Sequence, residues 1–397
     1  MVCAAMPSSS RRQFLSAGLM LPMAGAATGL GLLSCREAGA EPFLPPSGSA
    51  PKLDYRTLGK TGLKVTTVGF GCMITSDPSV IARAADLGVN YFDTARTYQQ
   101  GNNERMVSAA LGAKRKQLVL ATKSHSLDKA SLLKDLDTSL SELKTDYVDV
   151  WFLHGKSKPD EVHDDMIEAQ QIARQQGKIR FRGISTHSGQ QTLAPWIVEK
   201  GVFEVVLIAY NFSMDASMDK AIETIGNAGI GIVGMKVMAG GFRGAFPGSP
   251  AIPQMHREGA MLAALKWVLS KPHVGTTVPS MTDQDQLDEN LRAMAEPFSQ
   301  ADGKTLSAHL ETIRPLYCST CGQCDGACRK GLPVSDMLRI LSYADGYREF
   351  ALARERFREL PAHLAAVRCG DCAECTVQCP RGVQVPERLA RAQEMLA

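Results

Sequence analysis

The stretch "VNYFDTARTY", Val89–Tyr98, runs from an apolar segment into an aspartate and reaches a tyrosine five residues later. Val89, Tyr91 and Phe92 ahead of Asp93 read as a strand, and the polar residues after it read as a loop. The same pattern recurs on either side. Strand-like runs are "VTTVGFG", "VNYFDTA", "QLVLATK", "YVDVWFLH", "IRFRGIS", "EVVLIAYN", "GIVGMKVM" and "VGTTVPS". Amphipathic helical patterns separate them, such as "DPSVIARAADLG", "SLLKDLDTSLSELK" and "EGAMLAALKWVLS", with apolar residues three and four apart. Asp77-Pro78 opens the first helix as cap and first-turn proline, and Gly88 closes it. Eight strand–helix units in roughly 235 residues are the count and size of a (β/α)8 TIM barrel. A doubly wound sheet is the competing reading, but it rarely needs eight such even repeats.

A barrel places its chemistry at the C-terminal ends of its strands. Asp93 ends the second strand, Lys123 the third and His154 the fourth, and Tyr98 follows in the loop after Asp93. Each has a plain structural reading: Asp93 as a helix cap, Lys123 as a solvated cation, His154 as a satisfied core imidazole. Four on consecutive strand ends point instead to a catalytic set. "YRTLGKTGLKVTTVGFGCM", "YFDTARTY", "LVLATK" and "YVDVWFLH" resemble the opening hairpin and active-site motifs of the aldo/keto reductases. The resemblance runs from Tyr55 to about Asn290. It implies that Tyr98 is the general acid, that Lys123 and Asp93 tune it, and that His154 orients a carbonyl. A tyrosine has a pKa of about 10, so a neighbouring ammonium is expected to lower it.

The same resemblance implies NAD(P)(H). Ser185 in "RGISTHS" matches the family's amide-binding serine, with Thr186 in place of the usual Asn. Leu207 stands where Gln is common, Met235 takes the place of the aromatic that stacks on nicotinamide, and Lys236 follows it. Met235 and Met238 equally suit ordinary strand packing. Glu289 and Asn290 match the adenine-side pair, while Ser280 and Gln286 replace the Lys and Arg that neutralise a 2′-phosphate. NADP preference is therefore not implied, and NAD(H) fits as well. His187 has no assigned partner and reads as structural or loop.

Eleven cysteines are present, eight of them within Cys318–Cys379. Cys318, Cys321, Cys324 and Cys328 follow C-x2-C-x2-C-x3-C; Cys369, Cys372, Cys375 and Cys379 repeat it, and "CRKGLPV" answers "CPRGVQV". The segment is an internal duplication. Disulfides are one reading, but overlapping C-x-x-C steps leave no natural pairing. Structural zinc takes its cysteines two and two. Three thiolates with a remote fourth suit two 4Fe–4S clusters. In two-cluster ferredoxins the fourth cysteine of each run serves the other cluster. By that pattern Cys379 joins Cys318, Cys321 and Cys324, and Cys328 joins Cys369, Cys372 and Cys375. The spacer between the runs is helical in pattern, so a small, mainly α-helical ferredoxin-like domain is expected after the barrel. A hydride carries two electrons and a cubane passes one, so a flavin or a redox partner protein is expected between them; no flavin motif is visible in the sequence.

At the other end, Arg11-Arg12 precede an apolar stretch from Phe14 to Leu33 that closes on "LLSC". "SRRQFL" resembles a twin-arginine export motif, and Leu32–Cys35 resembles a lipobox whose cysteine, lipidated, becomes the first mature residue. A membrane-spanning helix is the alternative, although Pro22 and repeated Gly and Ala keep the stretch only mildly apolar. Twin-arginine export carries folded proteins, so clusters built in the cytoplasm would travel intact. The expected layout is a signal at 1–35, a tether at 36–52, the barrel at 53–298 and the cluster segment at 299–397, in a periplasmic protein or a membrane-anchored lipoprotein held at Cys35. A net charge of +3 from 44 basic and 41 acidic residues, with no basic stripe, gives no sign of a nucleic-acid partner. Two functions compete: an exported oxidoreductase acting on a small carbonyl or alcohol substrate and exchanging electrons through the clusters, or an electron-transfer subunit whose barrel is a docking or sensing module. "AGGFRGAFPGSPAIPQ", Ala239–Gln254, reads as a Gly/Pro-rich rim of the pocket.

Overall fold

The computed structural model describes residues 51–242 and 259–397, which fall within one compact unit, Ser49–Ala397. The export motif at Arg11-Arg12, Cys35, nearly all of the tether and most of the expected pocket rim lie outside the described residues. No helix among the described residues is long and apolar enough to cross a membrane.

The chain opens with an antiparallel hairpin, β1 Tyr55–Thr57 and β2 Lys64–Thr66. Eight parallel strands follow in sequential order: β3 Phe70–Gly71, β4 Tyr91–Asp93, β5 Val119–Ser124, β6 Val148–Leu153, β7 Ile179–Thr186, β8 Val205–Ala209, β9 Gly231–Met235 and β10 Val274–Thr277. Bridges between Val68 and Thr277 and between Gly71 and Ser280 bring the last strand back to the first, so the sheet closes as a barrel. All eight expected strands are present. The run "VTTVGFG" divides between the hairpin and β3, because Asn90 captures the chain midway: its Oδ1 accepts from Thr66 N at 2.7 Å and its Nδ2 donates to Lys64 O at 2.9 Å. Leu58, Leu63 and Val65 thereby join the barrel-interior core with Tyr91, Val150, Phe152 and Val233.

Helices α1 Pro78–Asp86, α2 Asn102–Leu111, α3 Lys129–Leu143, α4 Asp164–Gln175, α5 Gln190–Lys200, α6 Ala216–Asn227, α7 Ala260–Leu269 and α8 Gln284–Arg292 lie between or after the strands. Their starts follow from local chemistry. Asp77, Asp128, Asp215 and Asp283 each accept a first-turn backbone N–H, satisfying donors the helix itself cannot. Apolar stripes on α1, α3 and α6 join the strands' outer faces in the largest core cluster.

After α9 Gln300–Ile313, the cysteine-bearing segment is helical, with α10 Val334–Asp345, α11 Phe350–Arg358, a short α12 Ala362–Ala365 and α13 Val385–Leu396. Val334, Leu338, Leu341, Phe357, Val385 and Leu389 form its own core. Arg388 and Arg391 both bind the buried Asp345, at 2.6 and 2.8 Å, and so tie α13 to α10. The segment packs onto the C-terminal mouth of the barrel. Thr320 Oγ1 donates to His187 O at 2.6 Å, Asn211 Nδ2 donates to Tyr317 OH at 3.1 Å, and Arg381 pairs with Asp215. A Cβ on Gly346 would lie 2.1 Å from Gly240 O, so the end of α10 can press against the loop after β9 only as glycine.

Candidate active site and cysteine sets

Neighbouring strands bring Asp93 and Lys123 side by side, since Asp93 sits opposite Ala121 in the β4–β5 register and side chains two residues apart share a face. Lys123 Nζ donates to Asp93 Oδ1 at 2.5 Å, to Thr94 O at 2.6 Å and to Tyr98 OH at 3.5 Å. His154, just past β6, meets Tyr98 edge-on with ring centroids 5.9 Å apart. All four are buried, and Asp93 Oδ2 and His154 Nδ1 have no protein partner.

The electrostatics correct one expectation. Burial pushes the Tyr98 phenol above its usual pKa; Lys123 pulls it down, while Asp93 and Tyr343 push it further up. The net shift is upward, because desolvation of a phenolate outweighs one ammonium. Burial penalises the Lys123 ammonium, but Asp93 and Tyr98 outweigh this and hold its pKa above the usual lysine value. His154 lies well below the usual imidazole value through burial and the nearby His125, Lys123, His187 and Arg356. It is a neutral donor at physiological pH.

Residues 76–311 match the sequence profile of the aldo/keto reductase family. The chain belongs to that family. The match covers the barrel from just ahead of α1 onward, leaving β3 outside it, and ends before the first cysteine run. Among relatives, an uncharacterized oxidoreductase of Bacillus subtilis, YqkF, is 27% identical over 307 residues, covering 66% of this chain and 97% of its own. The L-galactose dehydrogenase of Arabidopsis thaliana is 26% identical over 310 residues, covering 67% and 97%. The holo structure of aldo-keto reductase AKR11C1 from Bacillus halodurans superposes with a TM-score of 0.57 at 26% identity, over 65% of this chain and 96% of that one. A thermostable aldo-keto reductase, Tm1743, in complex with the inhibitor epalrestat, shares the fold at a TM-score of 0.54 and 24% identity.

In this aldo/keto reductase a cavity of about 840 Å³, part of it open to solvent, lies over the barrel mouth beside Asp93 and Tyr98. Of the expected cofactor residues, Met235, Lys236 and Ser280 line it, as do Leu207, Met238 and Gln286. Ser185 and Thr186 do not. Ser185 Oγ accepts from Gly155 N at 2.9 Å, and Thr186 Oγ1 donates to Ser188 O at 2.6 Å, so both are engaged with neighbouring loops. Glu289 and Asn290 sit on α8, one turn beyond Gln286. Asn290 is fully buried with both amide atoms unpartnered, which suits a residue awaiting a polar ligand. The adenine side thus fits a nicotinamide dinucleotide better than the amide side.

Sequence reasoning missed two contributors. His125 stacks on His154 at 3.7 Å between ring centroids, and His187, read as loop, lines both cavities around Tyr98. It also missed that the cysteine segment supplies Tyr343 and Tyr347, whose rings lie 4.9 and 5.0 Å from Lys236 Nζ. Burial would raise the Tyr343 pKa, yet Lys236 and Arg339 together bring it down to about 8.

The eight cysteines sort into two electrostatic neighbourhoods across the runs. Cys318 is pushed up to about 12 by burial and by Cys324, Cys321 and Cys379. Cys369 is raised by burial and by Cys328, Cys372 and Cys375. None of the eight is paired in a disulfide. Among the described residues no three His, Cys, Asp or Glu converge on a single ion. That geometry would need tetrahedral sulfurs within about 4 Å of one another.

Proposed function

We propose that this protein is an exported oxidoreductase that interconverts a small carbonyl and its alcohol at the Tyr98 end of the barrel, with two 4Fe–4S clusters passing electrons to or from a partner protein. The observation that carries the reading is the buried Lys123, bound to Asp93 and within reach of Tyr98 OH beside a neutral His154.

The residues divide the work. A carbonyl oxygen between Tyr98 and His154 receives two hydrogen bonds, aimed where negative charge develops on reduction. Tyr98 then gives its proton to that oxygen. The phenolate left behind is stabilised by Lys123, whose charge Asp93 maintains. In the oxidative direction the same phenolate takes the alcohol proton. Met235, Ser280, Gln286 and Asn290 are the residues that would hold a nicotinamide dinucleotide, which when bound supplies or accepts a hydride. Ser280 and Gln286 stand where a Lys and an Arg would meet a 2′-phosphate, so NAD fits this wall as well as NADP.

Cys318, Cys321, Cys324 and Cys379 would hold one cluster and Cys328, Cys369, Cys372 and Cys375 the other; bound clusters supply one-electron transfer. Support comes from the duplicated spacing and from the crosswise grouping of the thiols. Export as a folded protein is read from the Arg11-Arg12 motif, and a lipid anchor at Cys35 from the Leu32–Cys35 stretch.

The test is anaerobic purification followed by iron and sulfide analysis and a screen of carbonyls and alcohols for turnover. About eight irons and eight sulfides per chain are expected, with turnover lost in Tyr98→Phe. Stoichiometric zinc would remove the clusters from the reading. Full turnover in Tyr98→Phe would remove the acid–base role and favour a barrel that docks or senses.

A further inference from the structure

The barrel does not enclose the space around Tyr98 by itself. A second cavity, about 950 Å³ including its open mouth, has Tyr98, His125, His154 and His187 on its barrel wall. Its opposite wall is Arg339 and Tyr343 of α10 and Arg356 of α11. The catalytic tyrosine and two arginines of the cysteine segment therefore face one space.

We propose that Arg339 and Arg356 bind an anionic group, carboxylate or phosphate, on the substrate whose carbonyl or alcohol meets Tyr98. The inference rests on the reading of Tyr98 as the acid–base group. Both guanidiniums are oriented and only partly used. Arg339 donates to Tyr343 OH at 2.8 Å and to Asp336 Oδ1 at 3.0 Å. Arg356 Nη1 donates to both oxygens of Glu359, at 2.8 and 2.9 Å. A guanidinium carries five N–H donors in a planar fork, so each retains donors for a second, bidentate partner.

The acids sit on the outside. Asp336 and Glu359 side chains are 57% and 55% exposed, against 25% and 15% for Arg339 and Arg356. Solvent screens the outer carboxylates more than the inner cations. Glu161, the third acid of the cavity, has its oxygens taken by Ser157 N and Oγ, both at 2.7 Å. The imidazoles add no charge: burial and the cations Arg356, Lys156, Arg339 and Lys123 hold His125 down at about 4. An arginine pair facing neutral imidazoles in a half-enclosed space is suited to an anion, which gains charge-assisted bonds there that a neutral substrate does not.

Calorimetric titration of the full chain tests this with matched probes: pyruvate against pyruvamide, and dihydroxyacetone phosphate against dihydroxyacetone. One charged probe should bind at least tenfold more tightly than its neutral counterpart, and the pair that shows the preference tells carboxylate from phosphate. Arg339→Gln and Arg356→Gln should each weaken that charged probe by about 10- to 100-fold and leave the neutral one unchanged. Arg356→Lys, which keeps the charge and loses the fork, should fall between, and circular dichroism reports whether each variant is folded. Equal binding within both pairs, no binding of any probe, or undiminished charged-probe binding in folded Gln variants would overturn the proposal. Tyr98→Phe, which loses one bond to the carbonyl oxygen of charged and neutral probes alike, should keep the preference for the charged probe. If that variant also keeps turnover, the acid–base reading fails while the arginine site stands on its binding data.

Discussion

Lys123 and Asp93 form an ion pair, 2.5 Å between Nζ and Oδ1, with side chains only 1% and 5% exposed. Such a pair gains little net stability over apolar packing, but removing one partner leaves an uncompensated buried charge. Asp93→Ala should therefore cost about 3–5 kcal/mol in urea unfolding. A loss below about 1 kcal/mol would mean that water reaches Lys123 in solution.

The raised Tyr98 pKa sets the pH response. A general acid works while protonated, so carbonyl reduction should hold level in kcat/KM from neutral pH up to the ordinary tyrosine range and fall only above it. Alcohol oxidation uses the phenolate and should rise with pH over the same interval. Lys123→Met removes the main opposing influence, moves both limbs to still higher pH and lowers turnover by about 10²–10⁴. A reductive optimum below pH 7 would contradict the assignment.

Acid should loosen the barrel mouth. His125, with a folded pKa of about 4 against an ordinary 6.5, and His154 and His187, also depressed, stay neutral where an unfolded chain takes up protons. Their contribution is present above pH 6.5 and is lost as pH falls from there toward 4. For His125 alone the loss is about 3 kcal/mol. Tryptophan fluorescence during urea unfolding checks this, because all three tryptophans lie in the barrel and its helices. His125→Asn should flatten the decline.

Crosswise grouping of the thiols makes a double variant informative. If Cys379 serves the set of Cys318, then Cys372→Ser with Cys379→Ser disturbs both clusters, and iron falls well below the four per chain left when only one is lost. If each run holds its own cluster, the pair of changes removes one cluster and about four irons remain.

Replacing Arg11 and Arg12 by Lys should leave folded, iron-bearing protein in the cytoplasm, because the arginine pair is the address the export machinery reads. Fractionation and immunoblotting measure it. Undiminished export would end the argument that the cysteines travel already occupied.

Much of the barrel was legible because its signals are local. An apolar run with a period of two, an Asp-Pro cap or a terminal glycine acts within a few residues, so eight strands and the tetrad at their ends could be read directly. The sign of the Tyr98 shift was not legible: the motif places an ammonium beside a phenol, but burial outweighs it, and burial depends on everything packed around. The engagement of Ser185 and Thr186 was hidden for a similar reason, since their partners Gly155 and Ser188 belong to loops whose paths only the folded chain defines.

By itself the sequence determined the strand–helix alternation, the identity and order of Asp93, Tyr98, Lys123 and His154, and the duplicated cysteine spacing, because each is a covalent or short-range property of the chain. Only the tertiary structure decided that α10 and α11 lean over the barrel mouth and bring Arg339, Tyr343 and Arg356 opposite Tyr98. Those residues lie more than two hundred positions apart. Their meeting depends on a backbone contact at Gly346, a half-buried Thr320–His187 bond and shape matching between two surfaces, none of which leaves a periodic trace in the chain.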